Sequence, residues 1–333
     1  MSARPRLLII KTSSLGDVVH ALPAISDIIE ARPGWQIDWV CEDAFAGIPM
    51  LHPGVARVIP CAIRTWRQSW WSKQCHHDVA KFKTALREYS YEIVLDLQGL
   101  MKSAWITRLA SGQRHGYIWG SAREPLATLA YDVRHSVAWN QHAIARNRQL
   151  AAAALGYRLD GALRYGVTVG DKRCPVAAPY VVALHASSRA DKLWPEAAWR
   201  QLFATLAAPG LRIVLPWGTP VERERSERLA NGNEYAVVPA RMSPQELANL
   251  FAAAQIVVGV DTGLLHLAVA VGAPALALFG PTNPALTGVQ GERAPALNLG
   301  GNGVVPSVDQ VLEAAERVLA AIAERSAAQL DSP

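Results

Sequence analysis

The chain has 333 residues, half of them hydrophobic, and a formal net charge of +5. This length exceeds one ordinary core and predicts a packed globular protein with two domains of about 150 residues each. No apolar run reaches the roughly 18 residues of a membrane span, and the N-terminal apolar run is too short for a signal peptide. The four cysteines form no C-x-x-C pair and show no zinc spacing, which predicts free thiols in a reducing cytosol and no metal site.

The positive charge is concentrated in the first half of the chain. Residues 1–165 hold 20 Lys/Arg and 13 Asp/Glu, whereas residues 166–333 hold 13 and 15. Residues 57–148 alone hold 14 Lys/Arg and 6 Asp/Glu, with six interleaved tryptophans. This pattern indicates an acidic partner, such as nucleic acid, an anionic membrane surface or a phosphorylated substrate, or else only a solvated basic surface. Because no nucleic-acid-binding motif is present, we expect no nucleic-acid partner.

Strands alternate with helices along both halves. In the first half, periodicity predicts strands at 7–11, 36–41, 57–60 and 92–97 and helices at 18–31, 77–89, 101–110 and 142–155. In the second half it predicts strands at 180–185, 211–216, 235–238, 256–260 and 274–279 and helices at 196–207, 221–230, 244–254, 264–271 and 308–325. This alternation predicts an α/β fold with parallel sheets covered by helices on both faces. Ligands of such sheets bind beyond the carboxyl ends of the strands.

The domain boundary is predicted where periodicity is lost and Gly and Pro become frequent, at residues 166–179. We therefore expect a first domain at 1–165 and a second domain at 180–306. A terminal helical segment at 307–325 follows, and it opens with a capping-box pattern.

The turn at 11–17, Lys-Thr-Ser-Ser-Leu-Gly-Asp, follows the first predicted strand. Asp17 is a candidate general base that takes a proton from an attacking hydroxyl. Alternatively, it is only the N-cap of a helix that begins at Val18. Ser13 and Ser14 can donate hydrogen bonds to a substrate or to the turn itself. The turn lacks the G-x-G-x-x-G pattern, which weighs against a dinucleotide site.

The turn at 259–266, Gly-Val-Asp-Thr-Gly-Leu-Leu-His, joins a strand to a helix in the second half. Free backbone N–H groups and the positive end of a helix dipole suit such a turn to phosphate. Asp261, Thr262 and Gly263 are therefore candidate phosphate contacts. His266, one helical turn further on, is either a buried core residue or a ligand contact, and its nearness to the turn favours the ligand contact.

Two more strand ends of the second half carry polar side chains. Ser187 and Ser188 can donate to phosphate oxygens and Lys192 can place its charge on a diphosphate, unless all three belong to an ordinary solvated loop. Glu222 follows the next strand, just inside a helix. It can accept both hydroxyls of a ribose, or it only favours the start of the helix.

Six segments of the chain are considered together. They are Lys-Thr-Ser-Ser-Leu-Gly-Asp at 11–17, Asp-Leu-Gln-Gly-Leu-Met-Lys at 96–102, Lys-Leu-Trp-Pro at 192–195, Pro-Trp-Gly at 216–218, Val-Asp-Thr-Gly-Leu-Leu-His at 260–266 and Phe-Gly-Pro-Thr at 279–282. In this order, they resemble the bacterial heptosyltransferases. The resemblance implies a GT-B fold, with two Rossmann-like domains facing across a cleft and the last helix crossing back to the first domain. It also implies an inverting glycosyltransferase of lipopolysaccharide inner-core synthesis. Because lysine and helix termini supply the positive field, we expect that no metal or other cofactor is required.

The resemblance further implies the substrates and the residues that bind them. ADP-L-glycero-D-manno-heptose would bind the second domain, and the first Kdo of Kdo-lipid A would bind the first. Asp17 is the implied base, and Lys192 is the implied catalytic charge on the leaving diphosphate. The implied donor contacts are Ser13, Ser14, Ser187, Ser188, Lys192, Glu222, Met242, Asp261, Thr262, Gly263 and His266. The implied acceptor contacts are Arg64, Arg67, Gln98, Lys102, Arg123, His142 and Arg146.

Ser187 and Ser188 stand where the family pattern leads us to expect threonines, but the hydroxyls are retained. We expect a monomer in the cytoplasm, held peripherally on the inner face of the cell inner membrane, because cations interleaved with tryptophans suit an anionic membrane surface. Two other functions remain open. One is a nucleotide-sugar epimerase of the same fold, which would need no basic acceptor surface. The other is a non-catalytic lipopolysaccharide-binding protein.

Overall fold

The chain divides into two units, Met1–Thr168 and Val169–Pro333. This division falls close to the predicted end of the first domain at residue 165. The computed structural model describes residues 4–170, 176, 179–206 and 211–330, with side chains described as far as residue 321. Residues 171–175, 177 and 178 of the predicted linker, Cys174 among them, lie outside the described residues, as does Ala207 at the end of a predicted helix.

A six-stranded parallel sheet forms the centre of the first unit. Its strands are β1 (Arg6–Ile10), β2 (Gln36–Glu42), β3 (Val55–Cys61), β4 (Ile93–Asp96), β5 (Gln113–Tyr117) and β6 (Val133–His135). Its helices are α1 (Leu15–Val19), α2 (Leu22–Ala31), α3 (Ile63–Gln68), α4 (Lys73–Leu86), α5 (Met101–Leu109) and α6 (Ala143–Leu155). The strand order is β3-β2-β1-β4-β5-β6. In this doubly wound order, ligand sites form where β1 and β4 lie side by side.

The second unit repeats this topology. Its strands are β7 (Tyr180–Leu184), β8 (Arg212–Val214), β9 (Ala236–Val237), β10 (Ile256–Val260), β11 (Ala275–Phe279) and β12 (Ala296–Gly300). Its helices are α7 (Glu196–Leu206), α8 (Pro220–Ala230), α9 (Pro244–Ala252), α10 (Gly263–Ala270), α11 (Pro284–Thr287) and α12 (Val308–Leu330). The strand order is β12-β11-β10-β7-β8-β9. Here β7 and β10 lie side by side and mark the corresponding ligand position.

The core of each unit lies on its central strands. Every residue of β10 and β11 is buried, and so are residues 7–10 of β1. A parallel sheet covered on both faces needs such continuous apolar strands, which confirms the predicted α/β class. The first half of α12 packs Val311 and Val318 into the core of the second unit. The predicted return of segment 307–325 to the first domain stays a prediction.

The prediction of one helix at 18–31 is wrong. The segment forms α1 and α2, separated by a turn at residues 20 and 21. Pro23 lies in the first turn of α2, where its missing N–H costs nothing but where it cannot continue an earlier helix. The predicted capping box before the last helix is confirmed, because Ser307 and Gln310 exchange the two expected hydrogen bonds. No helix of the described residues has the length and apolar character needed to cross a membrane.

Candidate functional site

The loop after β1 is held in place by Gln98, which follows β4. The side-chain oxygen of Gln98 accepts hydrogen bonds from the N–H groups of Thr12 (3.0 Å) and Ser13 (3.3 Å), and its NH2 group donates to the Ser13 carbonyl (2.6 Å). Beside this contact, Lys11 Nζ donates to the Leu97 carbonyl at 2.8 Å. The two loops are therefore joined where β1 and β4 end. Gln98 positions the loop, and its predicted contact with an acceptor stays a prediction.

Asp17 lies in the first turn of α1. Because α1 begins at Leu15 with Ser14 as its N-cap, the alternative that Asp17 caps a helix beginning at Val18 is wrong. Asp17 Oδ2 accepts hydrogen bonds from the Ser14 N–H (2.8 Å) and the Ser14 hydroxyl (3.0 Å). Asp17 Oδ1 lies 3.8 Å from a guanidinium nitrogen of Arg123, and 25% of the Asp17 side chain is exposed. One carboxylate oxygen thus secures the turn, while the other lies nearest to the Arg123 guanidinium.

Charges around the end of β1 keep Asp17 ionised. Burial raises the pKa of Asp17, but Lys11, the hydrogen bonds from Ser14 and the Arg123 guanidinium outweigh burial and hold that pKa below its ordinary value. Burial lowers the pKa of Lys11, against the attraction of Asp17 and Asp96. A carboxylate with a lowered pKa is ionised at neutral pH, which is the state that a general base requires.

A polar cavity of about 740 Å³ adjoins this loop in the first unit, and Ser13 and Ser14 are part of its wall. Its charged lining consists of Arg64, Arg67, Lys102, Glu42 and Asp43. Lys102 Nζ donates a hydrogen bond to the Ser13 hydroxyl. Arg64 and Arg67 are exposed on α3. Three of the predicted acceptor contacts therefore surround one cavity, and the structure ties one of them directly to the loop that carries Asp17.

The predicted acceptor contacts at the start of α6 are held by local interactions. His142 is the N-cap of α6, and its Nδ1 accepts a hydrogen bond from the Ile144 N–H at 3.2 Å. The Arg146 guanidinium lies 3.8 Å from the ring centroid of Trp139 and donates to the Ser121 carbonyl at 2.7 Å. The structure thus brings Arg123 to Asp17, whereas His142 caps a helix and Arg146 stacks on an aromatic ring.

In the second unit, three side chains converge on Asp261 at the end of β10. Asp261 Oδ2 accepts hydrogen bonds from Lys192 Nζ and from the Thr282 hydroxyl, each at 2.7 Å. The Ser187 hydroxyl donates to the Asp261 carbonyl at 3.2 Å. The loops that follow β7, β10 and β11 therefore meet at the carboxyl edge of the sheet. Ser187, Lys192 and Asp261, predicted from separate stretches of sequence, form one cluster.

Thr262 and Gly263 open α10 beside this cluster. Thr262 is the N-cap residue, and its hydroxyl makes no capping hydrogen bond within the described part of the chain. The first N–H groups of a helix have no partner inside the helix, so this end of α10 can receive an anion. His266 lies further along α10 and is only 4% exposed. Its predicted contact with a donor stays a prediction.

Glu222 closes a capping box at the start of α8. Its Oε2 accepts hydrogen bonds from the N–H groups of Gly218 (2.7 Å) and Thr219 (3.1 Å), and its own N–H donates to the Thr219 hydroxyl (3.3 Å). The interpretation of Glu222 as a residue that favours the helix start is therefore confirmed. Its predicted contact with ribose stays a prediction. So do the contacts of Ser188, which is exposed, and Met242, which is half-buried before α9.

Two buried charges at the first site are not among the predicted site residues. Lys11 follows β1 directly, and Asp96 ends β4. Asp96 accepts hydrogen bonds from the Tyr131 hydroxyl at 2.7 Å and the Ser103 hydroxyl at 2.8 Å, and burial raises its pKa despite them. Both residues could have been found in the sequence, because each is a charged residue at the carboxyl end of an otherwise apolar strand.

The comparison with known proteins identifies the family. The family model of glycosyltransferase family 9 (heptosyltransferase) matches residues 79–313. The chain is 48% identical over 295 residues to lipopolysaccharide heptosyltransferase 1 of Salmonella typhimurium, an alignment that covers 87% of this chain and 93% of the relative. The chain belongs to glycosyltransferase family 9. It is therefore a glycosyltransferase, as the six sequence segments predict.

Solved structures support the same conclusion for this family 9 glycosyltransferase. E. coli heptosyltransferase WaaC with ADP is similar at a TM-score of 0.84 and 44% identity, covering 96% of this chain and 99% of that chain. E. coli heptosyltransferase WaaC with ADP-2-deoxy-2-fluoro heptose is similar at a TM-score of 0.81. Within the described ranges, no group of three or more His, Cys, Asp and Glu side chains could hold a metal ion.

Proposed function

We propose that this family 9 glycosyltransferase transfers L-glycero-D-manno-heptose from ADP-heptose to the first Kdo of Kdo-lipid A, in lipopolysaccharide inner-core synthesis. The observation that carries the proposal is the 48% identity, over 87% of the chain, to lipopolysaccharide heptosyltransferase 1 of Salmonella typhimurium. The similarity to E. coli WaaC with ADP and with ADP-2-deoxy-2-fluoro heptose supports the choice of donor.

The second unit binds the donor in this proposal. The diphosphate lies against Lys192 and the first N–H groups of α10, where a cation and a helix N-terminus attract the same anion. The Ser187 and Ser188 hydroxyls donate to phosphate oxygens, and Glu222 accepts from ribose. The remaining proposed donor contacts are Ser13, Ser14, Met242, Asp261, Thr262, Gly263 and His266. The cluster of Lys192, Thr282 and Ser187 around Asp261 supports this placement, because it brings these loops to one edge of the sheet.

The reaction needs a base and a stabilised leaving group. Asp17 takes the proton from the acceptor hydroxyl, whose oxygen attacks the anomeric carbon of the heptose from the face opposite to the diphosphate. The bond between that carbon and the diphosphate oxygen breaks, ADP leaves with the electron pair, and the anomeric configuration inverts. Lys192 and the α10 N–H groups stabilise the charge that grows on the diphosphate. Because these groups supply the positive field, we expect full turnover in the presence of EDTA.

The first unit binds the acceptor in this proposal. Kdo carries a carboxylate and lipid A carries phosphates, so a basic surface suits both. The excess of eight positive charges over residues 57–148, 14 Lys/Arg against 6 Asp/Glu, supports this assignment. The proposed acceptor contacts are Arg64, Arg67, Gln98, Lys102, Arg123, His142 and Arg146. The enzyme acts as a monomer, bound peripherally to the cytoplasmic face of the inner membrane.

The deciding experiment incubates the full chain with ADP-heptose and Kdo-lipid A, with and without EDTA, and measures the products by mass spectrometry. The proposal predicts that Kdo-lipid A gains the mass of one heptose and that ADP appears in equal amount. Asp17→Asn provides the control for chemistry by this site, since it should bind ADP and form heptosylated lipid at least about a hundredfold more slowly.

The two other functions are distinct outcomes of the same experiment. An isomerised sugar nucleotide with unchanged Kdo-lipid A would establish an epimerase and reject the transferase. Binding of Kdo-lipid A without turnover or ADP affinity would establish a non-catalytic lipopolysaccharide-binding protein.

A further inference from the structure

A second cavity of the first unit lies beside the polar cavity and has no part in the proposed chemistry. It encloses about 840 Å³, within the usual range of ligand pockets. We call it the tryptophan groove; Trp66, Trp70, Met101 and Trp105 form its apolar wall. Trp66 is buried, and its ring lies 5.3 Å from Phe82 and 6.5 Å from Trp105 between centroids. The groove is therefore built on the core and exists before any ligand binds.

The wall of the tryptophan groove exposes large apolar side chains to water. Trp70 is 66% exposed, Met101 48% and Trp105 41%. Contiguous apolar surface of this kind marks an interaction site in a soluble domain, because burying it against a partner is favourable. Their clustering around one concave surface indicates an apolar ligand.

Cations connect the tryptophan groove to the polar cavity. Arg67 and Lys102 line both cavities, and Lys83 adds a third cation to the groove. Among the described residues that line the groove, none is acidic. Lys102 is also the residue whose ammonium contacts Ser13, in the loop that carries Asp17. An apolar groove that shares two cations with a polar cavity is complementary to an amphiphile with an anionic head and an apolar tail.

We propose that the tryptophan groove binds one acyl chain of the lipid-linked acceptor, while the anionic sugar of the same molecule occupies the polar cavity. This inference rests on the proposed function, because it specifies how the acceptor of that reaction is held. The acyl chain contributes affinity for the acceptor. Each buried methylene group strengthens binding by about fourfold, so a few of them outweigh a surface ion pair.

The kinetic test fills the groove without touching the polar cavity. Ala80 lines the groove and is exposed, so Ala80→Phe occupies its space with little risk to folding. We expect Ala80→Phe to raise KM for Kdo-lipid A by about tenfold or more, with kcat unchanged. For the same acceptor stripped of its acyl chains, Ala80→Phe and the wild type should have equal KM values. Thr84→Phe is the matched control, because Thr84 is exposed on the same helix and does not line the groove.

A binding test separates failure of this inference from failure of the proposed function. The probe is 12-bromododecyl phosphate below its micelle concentration, whose bromine quenches tryptophan fluorescence on contact. We expect saturable quenching in the wild type and Thr84→Phe and its loss in Ala80→Phe, whether or not heptose is transferred.

Either of two results overturns the inference. One is equal quenching of the wild type and Ala80→Phe. The other is quenching only by anionic phosphatidylglycerol vesicles with brominated chains, unaffected by Ala80→Phe, which would make this surface a membrane contact instead of an acyl-chain site.

Discussion

Lys192 Nζ lies 2.7 Å from Oδ2 of Asp261, across 69 residues of sequence. The same carboxylate oxygen accepts the Thr282 hydroxyl, also at 2.7 Å. The Asp261 side chain is 9% exposed and that of Lys192 is 18% exposed. An ion pair this well buried keeps its geometry, so the ammonium is held beside Asp261, between β10 and α10, where we propose that the diphosphate binds.

Replacing Lys192 tests its contact with the donor. If Lys192 binds the diphosphate as proposed, Lys192→Gln removes a charge-assisted hydrogen bond, so we expect the Kd for ADP to rise by about tenfold to a hundredfold. Calorimetric titration with ADP measures this change. Arg189→Gln is the matched control, because Arg189 belongs to the same loop but is paired with Asp191 at the surface. Unchanged ADP affinity in Lys192→Gln would remove this residue from the donor site.

Replacing Asp17 tests the assignment of the base. Asp17→Asn keeps an oxygen that can accept the Ser14 N–H, so the start of α1 should survive with a stability change of at most about 1 kcal/mol. Turnover should fall by about 10²–10⁴-fold with ADP affinity retained, because the amide cannot take a proton. Single-turnover transfer to Kdo-lipid A measures the loss. Asp43→Asn is the control, because it removes a carboxylate from the adjoining polar cavity and should leave kcat within about twofold of the wild type. Near-normal turnover in Asp17→Asn would contradict the assignment of the base.

The lowered pKa of Asp17 also fixes a pH dependence. The pKa of Asp17 is lower in the folded chain than in the unfolded chain, where it is about 3.9. The ionised carboxylate therefore stabilises the fold at pH values above the unfolded pKa, and this stability is lost as the pH falls through the folded pKa. The difference in unfolding free energy between wild type and Asp17→Asn should therefore be constant from pH 5 to 8 and shrink below about pH 4. Urea unfolding across this range measures it. A difference that changes between pH 5 and 8 would show that Asp17 titrates near neutrality.

Removing a cation from the polar cavity tests the acceptor surface. Arg64 is exposed and lines that cavity, so Arg64→Gln should raise KM for Kdo-lipid A by up to about fivefold while leaving ADP affinity unchanged. Raising the ionic strength should raise KM in the wild type more than in the variant, since salt screens exposed charges. Arg108→Gln removes an exposed arginine of the same unit that is not part of the cavity, and it should have no effect. An equal increase of KM in Arg64→Gln and Arg108→Gln would show that net charge, and not the cavity, determines acceptor binding.

The most apolar strands were predictable from sequence, and three less apolar strands were not. Continuous apolar runs such as Ile256–Val260 are buried on both faces, so composition alone identifies them. The strands Gln113–Tyr117, Val133–His135 and Ala296–Gly300, which were not predicted, carry polar or small residues. They form only when a neighbouring strand offers hydrogen bonds, which is a tertiary effect that periodicity does not record.

At the candidate site, sequence predicted the residue types but not their partners. A carboxylate and two serines in a strand-end turn indicated chemistry near Asp17. The hydrogen bonds of the Gln98 side chain join two loops about 85 residues apart in sequence, and no local pattern predicts them. In the same way, the local pattern around Glu222 is shared by a ribose contact and a helix cap. Only the folded backbone shows that its Oε2 accepts the N–H groups of Gly218 and Thr219.

A buried histidine at the start of the loop that carries Ser187 and Lys192 predicts that acid lowers the stability of the second unit. Burial, reinforced by Arg225, lowers the pKa of His185 to about 4, and its Nε2 is 2.8 Å from the Ser226 hydroxyl. His185 directly follows β7 and precedes Ser187 by two residues, so we expect protonation of His185 to disturb the loop that carries Ser187. The folded chain keeps this ring neutral while the unfolded chain binds a proton below about pH 6.5. Stability should therefore fall by about 3 kcal/mol as pH drops from 6.5 to 4.

Hydrogen exchange of the second unit, followed by mass spectrometry between pH 7 and 4 and corrected for the intrinsic rate, measures this loss. His52 in the first unit also has a pKa lowered to about 4 by burial, so the readout must be resolved by unit. His185→Gln cannot take the proton, and although it is less stable at pH 7, its disadvantage should close as the pH falls. If the stability of the second unit falls with pH equally in wild type and His185→Gln, His185 is not the titrating group, because glutamine cannot bind the proton that causes the pH dependence.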